Sequence, residues 1–301
     1  MTIIISVLMT DDYIKLKEIK PELTAYIKES RLSLLQTPAP GTKEVHDIRV
    51  YMKKSRAVMK IISGQLEDDF YKRQYETYRE IGQRTSSWRD NSVHRKILKN
   101  LKKKYPGIFS NLTDRKDIDR LLQKASNKQT SSQEVLNEIK IIDDNLNKAG
   151  FRLRFQNMND MEPKILVTEL EKSFNLVVDS YLSCRNNTKP EKVHTFRKRA
   201  KDLLYQLCFF RPLNPPAVRS LEKKLDDLTR NLGKYNDMSQ LILCLNYKYK
   251  KKSSDPALDE LMVLIREEQD KYLSKVWPVA RKIFRPGQKL VNILGFRILI
   301  L

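Results

Sequence analysis

Apolar residues recur every three or four positions along most of the chain, which is the period of an amphipathic α-helix. The first such stretch covers about 12–36 and ends at the Pro- and Gly-containing segment TPAPGT. The pattern predicts further helices at about 42–63, from 66 onward, 91–104, 131–148, 163–184, 191–210, over LEKKLDDLTRNLGKYND and at 256–284. Because only 8 of the 301 residues are glycine, few positions suit the turns and bulges of sheets. The predicted fold class is therefore all-α.

Breaks in the periodic pattern divide the chain into two halves. Gly64 is a predicted stop for the second helix, and Gly150 is predicted to close the first half. In the second half, Thr188 and Glu191 have the spacing of a capping box, with Pro190 in the tolerant first turn. We interpret 1–150 and 151–301 as two helical-bundle halves.

Two of the predicted helices open with the same residue pattern, Val-His-x-x-Arg-x-x-x-Lys. It occurs as VHDIRVYMK from residue 45 and as VHTFRKRAK from residue 193. An acidic residue follows each histidine at nearly the same distance: Asp90 lies 44 residues after His46, and Asp237 lies 43 residues after His194. The repeated spacing predicts an internal duplication of a helical half.

Cations occupy one face of each motif helix. At 100° per residue the first face comprises His46, Arg49, Lys53, Arg56 and Lys60. Beside it, an apolar stripe is predicted to pack inward, consisting of Ile48, Met52, Met59 and Ile62. The second helix carries His194, Arg197, Lys198 and Lys201. The two helices are therefore predicted to present like-charged faces.

The charge of the whole chain points to a polyanionic partner. Lys and Arg number 58 against 37 Asp and Glu, a formal net charge of +21. Nucleic acid, an acidic membrane and inorganic polyphosphate are the candidates. A row of like charges destabilises a bare helix, and a multivalent phosphate ligand would offset that repulsion, because guanidinium groups bind phosphate oxygens in a bidentate fork.

At these residues the chain resembles the CHAD family, the conserved histidine α-helical domains. The matching pieces are VHDIRVYMKKSR, WRDNSV, VHTFRKRAK and LGKYND, and the likeness extends over about 12–285. It implies one unit of two four-helix bundles, related by a pseudo-twofold axis, with a central basic channel that binds inorganic polyphosphate. No catalytic residue, cofactor or metal is implied. An association with polyphosphate granules in the cytoplasm is compatible with the resemblance.

The resemblance assigns binding roles by position. The implied polyphosphate-binding residues are His46, Arg49, Lys53, Lys54, Arg56, Lys60, Arg89, His194, Arg197, Lys198, Lys201 and Lys234. The implied supporting residues are Asp90, Asn236 and Asp237. The chain departs from the family pattern at Leu204, Tyr205 and Leu207, where a basic and an acidic residue usually flank the tyrosine. The second motif is therefore expected to be less basic at its far end.

Other functions stay open as alternatives. Nucleic-acid binding is allowed by the charge, although the motif faces carry few aromatic residues for stacking. A polyphosphate-processing hydrolase is the second alternative, but no P-loop, G-x-S-x-G or H-E-x-x-H is found. A metal site at His46 and His194 is disfavoured, because the neighbouring cations would repel a metal ion. The expectation is a binding protein and not an enzyme.

The remaining features carry less functional information. Three cysteines, far apart and odd in number, predict no disulfide framework and fit a reducing cytosol. The apolar run in MTIIISVLMTDD has no basic segment before it and no small-residue cleavage site after it, so it is a poor secretory signal and is expected to pack on the body. The segment KLVNILGFRILIL is too short to span a bilayer and is expected to dock as a last helix, with a peripheral membrane contact as the alternative. His94 is expected to be structural, and Trp88 and Trp277 are expected in the core or at an interface.

Overall fold

The described part of the chain is helical, as the hydrophobic period predicts. A computed structural model describes residues 16–35, 40–86, 90–111, 132–158, 161–249 and 256–296. The helices are α1 (Leu16–Leu34), α2 (Thr42–Ile62), α3 (Asp68–Arg84), α4 (Asp90–Lys104), α5 (Pro106–Asn111), α6 (Ser132–Phe155), α7 (Pro163–Asn186), α8 (Pro190–Leu207), α9 (Pro215–Tyr249), α10 (Pro256–Ile283) and α11 (Leu290–Ile293). Short 3₁₀ turns follow α2 at Ser63–Gln65 and α8 at Cys208–Leu213. No strand occurs within the described ranges, so the all-α class is confirmed.

Two local predictions about helix ends are wrong. Gly150 does not close a helix, because α6 continues through it to Phe155. A Cβ at this position would lie 3.7 Å from Cγ2 of Ile27, so the glycine lies close to α1. The predicted boundary between the two halves thus falls inside α6.

The predicted capping box at the start of α8 does not form. The N-cap is Lys189, and no side chain caps the helix. The hydroxyl of Thr188 instead donates to the backbone oxygen of Cys184 in the preceding helix, at 3.1 Å. Pro190 occupies the first turn as expected, where its missing N–H costs no hydrogen bond.

A large apolar core joins helices from both halves of the sequence. The predicted inward stripe of α2 is confirmed, because Ile48, Met52, Met59 and Ile62 are all fully buried. This core also contains the buried aromatic residues of α7, α8 and the end of α10. Trp277 packs against it, with its ring centroid 6.3 Å from that of Tyr181. The motif helices are therefore anchored through their apolar sides.

A second, smaller core involves α4 and α5. Leu98, Leu101 and Phe109 from these helices are buried against residues of α9 and α10, such as Leu241 and Leu261. Although α4 and α5 belong to the first half by sequence, they pack on helices of the second half. The two halves therefore share a core and interlock.

An ion cluster around the buried Glu268 links α4 to α10 and carries a pH-dependent prediction. Burial disfavours the charge of Glu268, but hydrogen bonds from Lys104, Lys271 and Tyr105 outweigh it and lower its pKa to about 2. The donor distances are 2.7, 2.8 and 2.9 Å respectively. We expect this cluster to stabilise the fold fully above the ordinary carboxyl pKa of roughly 4.3, and the contribution to be lost as the pH falls towards 2.

The measurement is the melting temperature of the Glu268→Gln variant and of the wild type as a function of pH. The variant should melt several degrees lower at pH 7, and the difference should shrink steadily below pH 4. An unchanged difference at pH 7 and pH 3 would show that the carboxylate charge does not link these helices. Glu267→Gln, a neighbouring exposed carboxylate, is the matched control.

Candidate functional site

The two motif helices, α2 and α8, pack directly against each other. Their contact includes a buried hydrogen bond of 2.9 Å, donated by the Gln206 amide to the backbone oxygen of Ala57. Lys60 pairs with Asp202 at 2.5 Å, one turn away on both helices. Along this contact the residue number rises on α2, from Ala57 to Lys60, while it falls on α8, from Gln206 to Asp202. The two helices therefore run antiparallel.

The two motif histidines consequently lie towards opposite ends of the helix pair. Each stands near the N-terminus of its helix, 11 or 12 residues from the contact of Ala57 with Gln206. At 1.5 Å per residue this is about 16–18 Å along the helix axis. Both histidine side chains are exposed to solvent. The predicted cation rows therefore extend in opposite directions from a common centre.

At that centre, cations from three helices surround Lys198 of α8. Lys198 is solvent-exposed, yet its pKa is lowered first by loss of hydration and then by nearby Lys60, Arg56 and Arg79. We call Arg56, Lys60, Arg79 and Lys198 the basic surface. The structure thus brings together cations from both motif helices, with Arg79 of α3 added.

The two motif arginines lie against glycine positions on neighbouring helices. Arg49 donates from Nη1 to the backbone oxygen of Gly82 in α3, at 2.8 Å. Arg197 packs on the buried Gly233 of α9, where a Cβ would lie 3.3 Å from Nε. Both arginine residues are half-buried. These neighbours fix the orientation of the arginine side chains.

The two glycines should respond differently to substitution by alanine. Gly82→Ala should stabilise the protein by up to about 1 kcal/mol, because a Cβ there meets nothing within 4 Å and alanine favours the helix. Gly233→Ala gains the same propensity but must displace the Arg197 guanidinium. We therefore expect little or no net stabilisation from Gly233→Ala, measured by urea denaturation. Equal stabilisation of the two variants would contradict this packing.

Carboxylates that the sequence interpretation did not select neutralise part of the basic rows. Asp202 binds Lys60, and Asp226 of α9 binds Lys201 at 3.1 Å and Arg230 at 2.6 Å. Burial opposes ionisation of Asp226, but these two cations outweigh it and lower its pKa. The two carboxylates pair with Lys60 and Lys201, two of the lysines for which the resemblance implies a binding role. The sequence analysis did not select Asp202 and Asp226, because the helical period does not show which residues of different helices form ion pairs.

Aromatic rings support three of the predicted lysines. Nζ of Lys54 lies 5.3 Å from the ring centroid of Tyr26. Nζ of Lys201 lies 5.2 Å from the ring centroid of Tyr205, and Nζ of Lys234 lies 5.2 Å from that of Tyr272. Burial raises the pKa of Tyr205 to about 12, so its hydroxyl stays protonated. Tyr205, at the departure from the family pattern, therefore positions Lys201. It also lines a cavity of about 330 Å³ together with Tyr26 and Lys54.

The structure describes some of the remaining predicted residues and not others. His194 Nδ1 lies 2.9 Å from Oδ1 of Asn236, which makes Asn236 a supporting residue of the second histidine. Lys53 and Asp237 are half-buried on α2 and α9. Arg89 and Trp88 lie outside the described residues. Asp90 begins α4, but the placement of its side chain is not described.

The described ranges were also searched for metal sites, reactive thiols and membrane-spanning helices. Within them, no cluster of three or more His, Cys, Asp or Glu residues could hold a metal ion. Burial raises the pKa of Cys184 and of Cys208 to about 11, which keeps these thiols protonated. No helix among the described residues is both long enough and apolar enough to cross a bilayer.

The fold and the site define an all-helical protein whose two related motif helices share a basic surface. The family model of the CHAD domain matches residues 27–246. The chain belongs to the CHAD domain family.

Among solved structures, the chain is similar to the crystal structure of the CHAD domain from the plant Ricinus communis. The two share 16% sequence identity with a TM-score of 0.58, and the alignment covers 93% of this chain and 90% of the plant chain. This likeness shows the fold. A search among curated proteins found no match.

Proposed function

We propose that the chain binds inorganic polyphosphate on the basic surface and on the cation rows that extend from it, without chemical turnover. The observation that carries this proposal is the convergence of α2, α3 and α8 cations around Lys198. Like charges that lie near one another repel, and a chain of closely spaced anionic groups relieves that repulsion most fully. An association with polyphosphate granules belongs to the same proposal.

The packing of α2 on α8 determines where such a ligand would lie. Directly between the helices the space is filled by Ala57 and Gln206, both fully buried. The ligand would therefore run over the exposed side of the helix pair, from the row containing Arg49 to the row containing Arg197. Arginine forks would hold phosphate oxygens in fixed geometry, while lysines would adapt to a flexible chain.

Bound phosphate would replace the internal carboxylates on Lys60 and Lys201. Asp202 and Asp226 balance these cations in the free protein, so a ligand must make several contacts at once to displace them. Orthophosphate makes too few contacts, whereas a long chain reaches many cations at a high effective concentration. The proposed site therefore selects for chain length.

The test is a titration with polyphosphates of graded length, read by isothermal calorimetry. Affinity should rise with length until the rows are filled and then level off. The logarithm of the affinity should fall steeply with the logarithm of the salt concentration, because counterions are released. Equal affinity for pyrophosphate and for long chains at equal phosphate concentration would contradict a multivalent site.

A competition experiment separates this proposal from the nucleic-acid alternative. A labelled single-stranded oligonucleotide should be displaced by long-chain polyphosphate at equal phosphate concentration. An oligonucleotide that stays bound would favour a nucleic-acid protein, and phosphate released during incubation with magnesium would favour a hydrolase.

A further inference from the structure

We propose that the exposed side of α6 binds the surface of a membrane that contains anionic lipids, with the helix lying in the plane of the interface. The inference begins with the distribution of exposed residues along α6. Between 135 and 155, every exposed residue falls within one arc of about 140° at 100° per residue. We call these ten exposed residues the outer face of α6. The opposite side of the helix is buried against the body.

The outer face of α6 concentrates the exposed apolar side chains of the molecule. In the described ranges nine large apolar residues are exposed, and six of them lie on α6, on α1 or directly after α1. The four on the outer face are Leu136, Ile141, Phe151 and Phe155. Phe151 is 67% exposed, and its ring centroid lies 4.8 Å from that of Phe155. Apolar groups clustered in this way mark an interaction surface.

The charges of the outer face are complementary to an anionic surface. Three of its residues are cations, Lys140, Lys148 and Arg154, and one is acidic, Asp144. The guanidinium carbon of Arg154 lies 6.0 Å from the ring centroid of Phe155, so a cation and an aromatic ring stand side by side. Helices that lie in a membrane interface have this combination, because rings enter the boundary with the acyl chains while Lys and Arg bind the head groups.

A groove of about 680 Å³ between α1 and α6 adjoins the outer face. Its lining combines apolar side chains, such as Ile27 and Phe151, with the cations Lys148 and Arg154. Lys20 of α1 donates to the backbone oxygen of Arg154 at 3.0 Å, which fixes the end of α6 beside this groove. An amphiphile with an anionic head group matches such a lining better than a purely polar anion does.

Two other partners fit the outer face less well. A second copy of the chain would place one set of cations against another, and these like charges would repel. A single-stranded nucleic acid would need aromatic rings on which its bases can stack. Phe151 and Phe155 instead pack on each other with an angle of 57° between their planes, and Leu136 and Ile141 offer no ring.

The test is co-sedimentation of the full chain with vesicles of phosphatidylcholine, alone or mixed with an equal amount of phosphatidylserine. The wild type should bind the mixed vesicles more tightly. Phe151→Ser combined with Phe155→Ser should weaken that binding about tenfold, because the two rings no longer enter the interface. The matched control combines Leu176→Ser with Leu243→Ser, on the exposed sides of α7 and α9, and should leave the binding unchanged.

A charge variant tests the recognition of anionic lipid. Lys148→Gln combined with Arg154→Gln should weaken binding to the mixed vesicles about tenfold, because each cation near an anionic surface contributes to the attraction. Binding to phosphatidylcholine alone should not change. Equal losses with the two kinds of vesicle would overturn the proposal, since the anionic lipid would then not be recognised by this face.

A fluorescent variant reports whether lipid or protein covers the outer face. After subtraction of the wild-type emission, Phe155→Trp should shift to shorter wavelengths when mixed vesicles are added. Emission already shifted without vesicles would overturn the proposal, because the chain itself or a second copy would then cover this position. Vesicle binding by the double serine variant at the wild-type level would also overturn it, and a loss of oligonucleotide binding in that variant would assign the face to nucleic acid.

The membrane proposal is independent of the proposed function. The double serine variant should bind long-chain polyphosphate with the wild-type affinity, because its substitutions lie on α6 and not on α2, α3 or α8. If the wild type binds mixed vesicles through this face but binds no polyphosphate, the proposed function fails and the membrane contact stands.

Discussion

Replacing Arg56 and Lys198 together by glutamine should weaken the binding of long-chain polyphosphate by about a hundredfold at low salt. The two side chains come from different motif helices and belong to the same basic surface. A hydrogen bond between charged partners contributes about 1.5–3 kcal/mol, so losing two costs about 3 kcal/mol or more. Isothermal calorimetry at several salt concentrations measures the effect, and the salt slope should fall by roughly 2.

A control with the same change in net charge separates a site from diffuse attraction. Lys140 and Lys148 are exposed on α6, a helix that packs on α1 and α3. Replacing both by glutamine should change the affinity by less than about threefold, since exposed charges at a distance are screened. If the control pair weakens binding as much as Arg56 and Lys198 do, the ligand is held by overall charge and the proposed surface is wrong.

Phe196→Ala should destabilise the fold by about 3–5 kcal/mol, the usual cost of deleting a buried phenylalanine. Phe196 is fully buried on the inner side of α8. Its ring centroid lies 5.7 Å from that of Tyr181 and 5.7 Å from that of Phe284, the latter in an edge-to-face arrangement. Alanine would leave a cavity among three helices and remove both ring contacts. Urea denaturation measures the loss.

The matched control for this substitution is Phe155→Ala. Phe155 is 70% exposed at the end of α6, so its removal should change the stability by no more than about 0.5 kcal/mol. Phe196→Ala should also weaken polyphosphate binding, because it loosens the helix that carries Arg197 and Lys198. Similar destabilisation by the two substitutions would show that the aromatic cluster does not anchor α8.

The sequence predicts those features that depend on a single helix, such as its buried face and its ends. The apolar stripe of α2 is confirmed because the helical period determines which side chains share a face. The ends of α2 and α10 are close to the predicted ones for the same local reason, with Gly64 and Pro286 following them. The family and the all-α class follow from motifs and composition.

The pairing of helices was not predictable from these patterns. Lys60 and Asp202 are 142 residues apart in sequence, so periodicity gives no sign that they meet. Arg79 is not part of either repeated motif, and it reaches the basic surface because α3 packs on α2. The first half was predicted to close at Gly150, but α6 continues through this glycine to Phe155. The pseudo-twofold relation and the roles of the site residues stay predictions.

The packing of α4 and α5 on α9 and α10 has a consequence for engineering the protein. A fragment ending at residue 150 would expose the apolar faces of Leu98, Leu101 and Phe109, and the remaining fragment would expose their partners on α9 and α10. Neither fragment would dissolve well alone, and each would tend to aggregate through these faces. Co-expression of both fragments, rather than either by itself, is the route to a reconstituted molecule.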